Sequence, residues 1–130
     1  MDWKQCFKGK KILLAEDDEV TQEMMQDIFQ SMNVEIIIAN DGNEVVKKFQ
    51  EGEFDLILMD IWMPNKDGMK ATSEIRELEK GKTPIPIIAL TASVLPSEKE
   101  AVLAAGVNTI LFKPINLEEL RNTMYKYLGS

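Results

Sequence analysis

Phe54-Asp55-Leu56-Ile57-Leu58-Met59-Asp60-Ile61-Trp62-Met63-Pro64 is the stretch on which the fold turns. It opens as a largely apolar, strand-forming run from Phe54 to Met59. A continuous apolar run of this length suits a strand buried on both faces, as in a parallel sheet. The run ends on one carboxylate, Asp60, and Pro64 stops any regular element soon after. Asp60 is thereby placed at the carboxyl end of a central strand, the edge where ligands bind in open α/β sheets. Taken alone, Asp60 reads equally well as a residue that caps the turn.

Upstream, Lys11 to Glu16 reads as a buried strand that runs into an acid cluster, Glu16-Asp17-Asp18. Glu19 to Met32 reads as a helix, with Val20, Met24, Ile28 and Met32 on one face and Met25 and Phe29 widening the stripe. Val34 to Ala39 is a second strand. Asn40-Asp41-Gly42-Asn43 is a turn leading into a helix from Glu44 to about Glu51. Beyond Pro64, Asp67 is placed to cap a helix from Met69 to about Lys80 with Met69, Ile75 and Leu78 on one side. A fourth strand, Ile85 to Leu90, ends at Thr91. Ser97, with capping-box spacing to Glu100, opens a helix that Gly106 closes near Ala105. Val107 to Phe112 is a fifth strand, ended by Lys113-Pro114. Asn116 caps a last helix whose buried face is Leu117, Leu120, Met124 and Leu128. Strand then helix, five times over, implies a parallel sheet with helices on both faces.

The chain has 130 residues, enough for one domain with one core, and no internal repeat, low-complexity segment or second-domain boundary interrupts it. Its net charge of −7 argues against nucleic-acid or membrane partners. No transmembrane-length apolar run or signal peptide is visible, and the single Cys6 fits a reducing, cytoplasmic setting. There is no histidine, so Ser-His-Asp hydrolysis, most zinc chemistry and phosphohistidine formation lie outside what this chain does by itself.

All strands of a parallel sheet point the same way, so their carboxyl ends share one edge. That edge collects Glu16 and Asp17, Asp60, Thr91 and Lys113. Two carboxylates about 5 Å apart repel by roughly 3 kcal/mol at an effective dielectric of ~20. Three cannot stay ionised together unless one takes a proton or a cation binds. Hard oxygen ligands with room for water and phosphate suit Mg²⁺. A carboxylate beside that ion is a nucleophile toward a phosphoryl group, giving an acyl phosphate. In that setting Thr91 is a hydrogen-bond donor and Lys113 a charge partner for the phosphoryl oxygens.

These residues resemble a known family. Ile-Leu-Leu-Ala-Glu16-Asp17-Asp18, Leu-Ile-Leu-Met-Asp60-Ile-Trp-Met-Pro64, Asp67-Gly68, Ala-Leu-Thr91-Ala and Phe-Lys113-Pro114 together are similar to the receiver domain of two-component response regulators, from about Lys11 to Leu128. The resemblance implies a flavodoxin-like three-layer α/β/α sandwich around a five-stranded parallel sheet in the order 2-1-3-4-5. Residues 1–10 are then a lead-in, 11–128 the receiver, and no output domain follows. It implies that Asp60 accepts a phosphoryl group from a phosphohistidine on a sensor histidine kinase or histidine phosphotransfer domain. Mg²⁺ is then held by Glu16, Asp17, Asp60 and the backbone carbonyl of Trp62, while Thr91 and Lys113 read the phosphorylated state. Such a domain is a phosphoacceptor in signalling rather than an enzyme. It addresses a downstream protein through the fourth helix, fifth strand and fifth helix, counted from the first strand.

The Glu16-Asp17 pair and the lead-in Phe7-Lys-Gly-Lys-Lys-Ile-Leu-Leu look like receivers of hybrid sensor kinases. Asp18 reads as a helix cap, with a place near the metal as the alternative. Ile110 stands where many receivers carry an aromatic switch residue, and Phe112 is expected to face the other way. Three rival readings bear on the same residues. An aspartyl phosphatase of the haloacid dehalogenase type needs an acid two residues after Asp60, where Trp62 stands. A flavodoxin-like cofactor binder needs a phosphate loop where Glu16-Asp17-Asp18 stands. The third is a degenerate receiver that serves as an unphosphorylated protein-interaction scaffold.

Overall fold

The computed structural model describes residues 2–92 and 95–129, so Met1 of the lead-in lies outside the described residues. Five strands, β1 (Lys11–Ala15), β2 (Glu35–Ala39), β3 (Leu56–Asp60), β4 (Ile87–Thr91) and β5 (Thr109–Phe112), form a parallel sheet in the order β2-β1-β3-β4-β5. The helices are α1 (Trp3–Cys6), α2 (Glu19–Ser31), α3 (Gly42–Glu51), α4 (Gly68–Leu78), α5 (Pro96–Ala105) and α6 (Leu117–Leu128). This is the expected doubly wound α/β/α arrangement.

Alternation along the strands divides the core into two layers. Ile12, Leu14, Leu56, Leu58 and Leu90 face α1, α2 and α6, where Phe29 and Leu120 meet them. Leu13, Ile57, Met59, Ile87 and Ala89 face α3, α4 and α5, where Val45, Ile75 and Val102 meet them. Every residue of β3 is buried, as its apolar run predicts. Each such aliphatic side chain contributes about 1.5–3 kcal/mol by leaving water.

Several expected faces are corrected. The buried stripe of α2 is Met25 and Phe29, continued by Met32, while Val20 and Met24 are 75% and 43% exposed. Met24 lies about 100° around the helix from Met25, on a row that turns to solvent. On α4 the core face is Ala71, Thr72 and Ile75, and Leu78 is exposed. Leu78 lies about 60° around the helix from Ile75, at the margin of the contact. On α6 only Leu120 and Met124 are fully buried. Ser97 does not cap α5; Leu95 holds the cap position, Pro96 opens the helix, and Glu98 Oε1 accepts the Leu95 N–H at 3.2 Å.

Strands β4 and β5 begin two residues later than expected, at Ile87 and Thr109, and ahead of β4 side chains take the backbone groups of Ile85. Glu79 Oε2 accepts the Ile85 N–H (2.6 Å) and Asn108 Oδ1 accepts the Ile87 N–H (2.8 Å). The Arg76 guanidinium joins both, reaching Glu79 (2.6 Å), Asn108 (3.0 Å) and the carbonyls of Ile85 (2.8 Å) and Gly106 (2.9 Å).

The lead-in is structured. Asp2 caps α1, Trp3 stacks on Phe7 with centroids 5.5 Å apart, and Phe7 is fully buried in the α2/α6 layer. The Arg121 guanidinium of α6 lies 5.5 Å from the Trp3 ring.

Candidate functional site

Helices α2, α3, α4 and α6 begin at the edge where the strands end. Each starts on a cap residue whose side chain accepts the N–H three residues on: Asp18 from Thr21, Asp41 from Glu44, Asp67 from Lys70 and Asn116 from Glu119, at 2.8–3.0 Å. Helix N-termini carry partial positive charge, which the three aspartate caps complement.

Between β1 and α2 the chain is fixed on both sides of one residue. The Glu16 N–H donates to the Ala39 carbonyl (3.0 Å), and Gln22 Nε2 donates to the Glu16 carbonyl (2.5 Å) and to Asn40 Oδ1 (2.8 Å). Glu16 is fully buried and Asp17, next to it, is exposed. Asp18 commits its carboxylate to the Thr21 hydroxyl (2.6 Å) and N–H (3.0 Å). Those two bonds hold its pKa below the ordinary value, and they make it the cap that the sequence suggested.

Asp60 ends β3 with 5% of its surface exposed. Its Oδ1 accepts the Trp62 N–H at 3.2 Å. Behind it, Gly68 donates to the Ile61 carbonyl (2.8 Å), and a Cβ at Gly68 would lie 2.3 Å from the Asp60 carbonyl oxygen. Only glycine lets α4 start this close to the β3 backbone. Across the edge, Lys113 Nζ reaches Glu16 at 2.9 and 3.2 Å and Asp60 Oδ2 at 3.4 Å. Carboxylate oxygens of Glu16, Asp17 and Asp60 lie within 4.8 Å of one another. Thr91 is the buried last residue of β4, one beyond Leu90, which is in register with Asp60. Its carbonyl accepts the Lys113 N–H at 2.8 Å. The residues expected at this edge thus come from four strand ends.

Three carboxylates and one ammonium leave two negative charges without a partner when all are ionised. Burial, then a hydrogen bond with Asp60, pushes the Glu16 carboxyl up to about 8 against the pull of Lys113. Burial draws the Lys113 ammonium down, but the hydrogen bond to Glu16 and the charges of Asp60 and Glu16 outweigh it and raise its pKa. An oxygen-only donor set of this charge fits a hard divalent cation such as Mg²⁺ and has no thiolate or imidazole for a softer one.

Ile110 packs in the α3/α4/α5 layer, and Leu111 between Ile110 and Phe112 is buried in the opposite one. Residues two apart on a strand share a face, so the expectation that Phe112 faces away from Ile110 is corrected. Phe112 is 48% exposed and in register with Thr91.

Two connections escaped the sequence reading. Gln22 looks like an ordinary exposed helix residue. Asn65 looks like turn filler, but it adopts φ 67° and donates to Asp41 Oδ2 at 2.7 Å. Asparagine in a tight loop is the one signal that pointed there, since it tolerates positive φ.

The parallel sheet with an acid cluster at its carboxyl edge defines a class of doubly wound α/β protein whose chemistry lies at strand ends. Comparison with known proteins narrows that class. Residues 12–125 match the family model described as the response regulator receiver domain. The chain is 33% identical to the sensor protein GacS of Pseudomonas syringae pv. syringae, an alignment covering 94% of this chain and 14% of that protein. It is 41% identical to hybrid signal transduction histidine kinase G of Dictyostelium discoideum, covering 90% of this chain and 4% of that one. The chain therefore spans a small part of these relatives.

Among solved structures, the receiver domain of sensor histidine kinase PA1611 from Pseudomonas aeruginosa PAO1, with magnesium coordinated in its active site cleft, superposes with a TM-score of 0.85 at 38% identity, covering 94% of this chain and 99% of that one. A second match, with a TM-score of 0.87 at 30% identity, covers 95% of this chain and 91% of that one. It comes from the co-crystal structure of the Saccharomyces cerevisiae phosphotransfer protein Ypd1 with the receiver domain of Ssk1. The chain belongs to the response regulator receiver domain family, a family of two-component signalling domains. Among the described residues no helix is long and apolar enough to cross a membrane.

Proposed function

We propose that this receiver takes a phosphoryl group onto Asp60 from a phosphohistidine of a sensor kinase or phosphotransfer domain. An Asp60 carboxylate oxygen attacks phosphorus, the P–N bond breaks, the imidazole leaves with its electron pair, and an acyl phosphate remains. The observation that carries this reading is the convergence of Glu16, Asp17 and Asp60 within 4.8 Å, with Lys113 bonded to two of them. Glu16, Asp17, Asp60 and the Trp62 carbonyl would hold Mg²⁺. That ion, when bound, supplies charge that neutralises the phosphoryl oxygens.

Lys113 then exchanges its Asp60 contact for a phosphoryl oxygen, and the Thr91 hydroxyl donates to another. The phosphoryl group adds about −1.5 to −2 charge, which draws both residues inward and shifts the segments after β4 and β5. Two surfaces suit partners. Val20 and Met24 stand exposed on the first turns of α2, which follow the acid loop, where a donor domain would sit. Leu95, Leu103, Phe112 and Tyr125 are exposed along α5, β5 and α6, which suits a downstream protein.

The test is fluorescence of Trp62 in a Trp3→Phe background. Mg²⁺, then beryllofluoride as a phosphoryl mimic, is expected to change the emission. No change, or an equal change in Asp60→Asn, favours the unphosphorylated scaffold instead.

The raised Glu16 pKa gives a second expectation. Its proton competes with Mg²⁺, so affinity for the ion rises as pH goes from 6 to 8, by up to about tenfold per unit. The same shift means that Glu16 stabilises the ion-free fold fully below its unfolded value of 4.5 and loses that contribution as pH rises through about 8. Mg²⁺ titrations across this range check the sign; a pH-independent affinity would show that Glu16 gives up no proton to the ion.

A further inference from the structure

We infer that the Asp41–Asn65 side-chain pair is a positioning device for the cation site, fastening the loop after Asp60 so that the Trp62 carbonyl stays where the ion needs it. The inference rests on the phosphoacceptor reading above. The loop from Trp62 to Asp67 is tied near the site by the Trp62 N–H bond to Asp60 and by the Gly68 N–H bond to the Ile61 carbonyl. Its far side rests on the first turn of α3. There the Gly42 N–H donates to the Lys66 carbonyl (3.0 Å) and Asn65 Nδ2 donates to Asp41 Oδ2 (2.7 Å). A Cβ on Gly42 would lie 2.1 Å from that Lys66 oxygen, so the loop backbone lies directly on the helix start.

The two oxygens of Asp41 divide their work. Oδ1 caps α3 through the Glu44 N–H (2.8 Å), and Oδ2 holds the loop. The bond from Glu44, then the one from Asn65, keeps the Asp41 carboxyl below its ordinary pKa, so the loop bond is charge-assisted. Asn65 holds φ 67°, a left-handed conformation that asparagine tolerates and that turns its side chain toward α3. Lys66 continues the fastening by pairing with Glu74 of α4. The ligand-bearing loop is thus held from β3, α3 and α4 together. Outer partners of metal ligands change metal affinity by about 10–100-fold when removed.

Asn65→Asp and Asn65→Gly test this with Mg²⁺ as the probe, read by Trp62 emission, alongside the thermal midpoint without the ion. Asn65→Gly keeps the left-handed backbone and removes only the side chain. Asn65→Asp sets two carboxylates face to face. Both are expected to raise the half-saturating Mg²⁺ concentration about tenfold, with the thermal midpoint lowered by only a few degrees, so that the chain stays folded through the titration. The sign in Asn65→Asp is decisive, because an added negative charge acting through space would tighten cation binding. The exchanged double variant, Asp41→Asn with Asn65→Asp, restores the donor–acceptor pair at wild-type charge, keeps an α3 cap of equal quality and is expected to recover most of the affinity.

Unchanged affinity in Asn65→Gly, tighter binding in Asn65→Asp, or no recovery in a folded double variant would each overturn the inference while wild-type binding left the phosphoacceptor reading standing. A wild-type chain that binds no Mg²⁺ and takes no phosphoryl group overturns both.

Discussion

Asp60→Ala is expected to abolish phosphoryl uptake from acetyl phosphate in the presence of Mg²⁺ while leaving the fold intact. Asp60 is the group at the end of the fully buried β3, backed by Gly68 and fixed by the Trp62 N–H. Glu16 cannot replace it as nucleophile: it is fully buried and held by Lys113 through both oxygens. The fold survives because the substitution removes one of two carboxylates crowded on one ammonium. The Lys113–Glu16 contact at 2.9 Å remains, and one carboxylate fewer has to be held out of water. Intact-mass measurement decides the matter, and the same phosphate increment in the variant would refute the assignment.

Lys113→Ala separates uptake from response. The variant is expected to keep part of the uptake, since Asp60 and the acids beside it are untouched, but to lose the conformational change that follows. Lys113 is suited to that coupling by position. Its side chain lies on Glu16 and Asp60, and its backbone N–H is bonded to the Thr91 carbonyl, so one residue meets the ends of β1, β3 and β4. Removing the ammonium leaves an added phosphoryl charge nothing on β5 to pull. Amide hydrogen exchange over β5 and the start of α5, with and without beryllofluoride, measures the effect. A variant whose exchange changes as much as wild type would show that Lys113 carries no signal.

The strand-end cluster was legible in the sequence because a parallel sheet converts chain order into spatial order. Once five apolar runs alternate with helices, Glu16, Asp60, Thr91 and Lys113 must gather at one edge, and they do. The cap residues Asp18, Asp67 and Asn116 were legible for a local reason, since each bonds a neighbour three residues away. Helix faces were less so. Val20, Met24 and Leu78 satisfy an apolar period, but which apolar rows meet the sheet depends on how each helix is rotated about its axis. Contacts between distant segments were not legible at all: Asn65 with Asp41 and Arg76 with Asn108 join residues 24 and 32 positions apart, with no periodicity to announce them.

The segment ahead of β1 changes how this molecule should be cut. Phe7 fills the α2/α6 layer as completely as any strand residue, Trp3 lies over it, and Asn33 receives the chain through bonds to the Lys4 carbonyl and from the Gly9 N–H. The cooperative unit therefore begins before the first strand. An excision at Lys11 would leave an aromatic-sized hole in the interior, worth about 3–5 kcal/mol by analogy with phenylalanine truncations, a large share of what a domain this size has to spare.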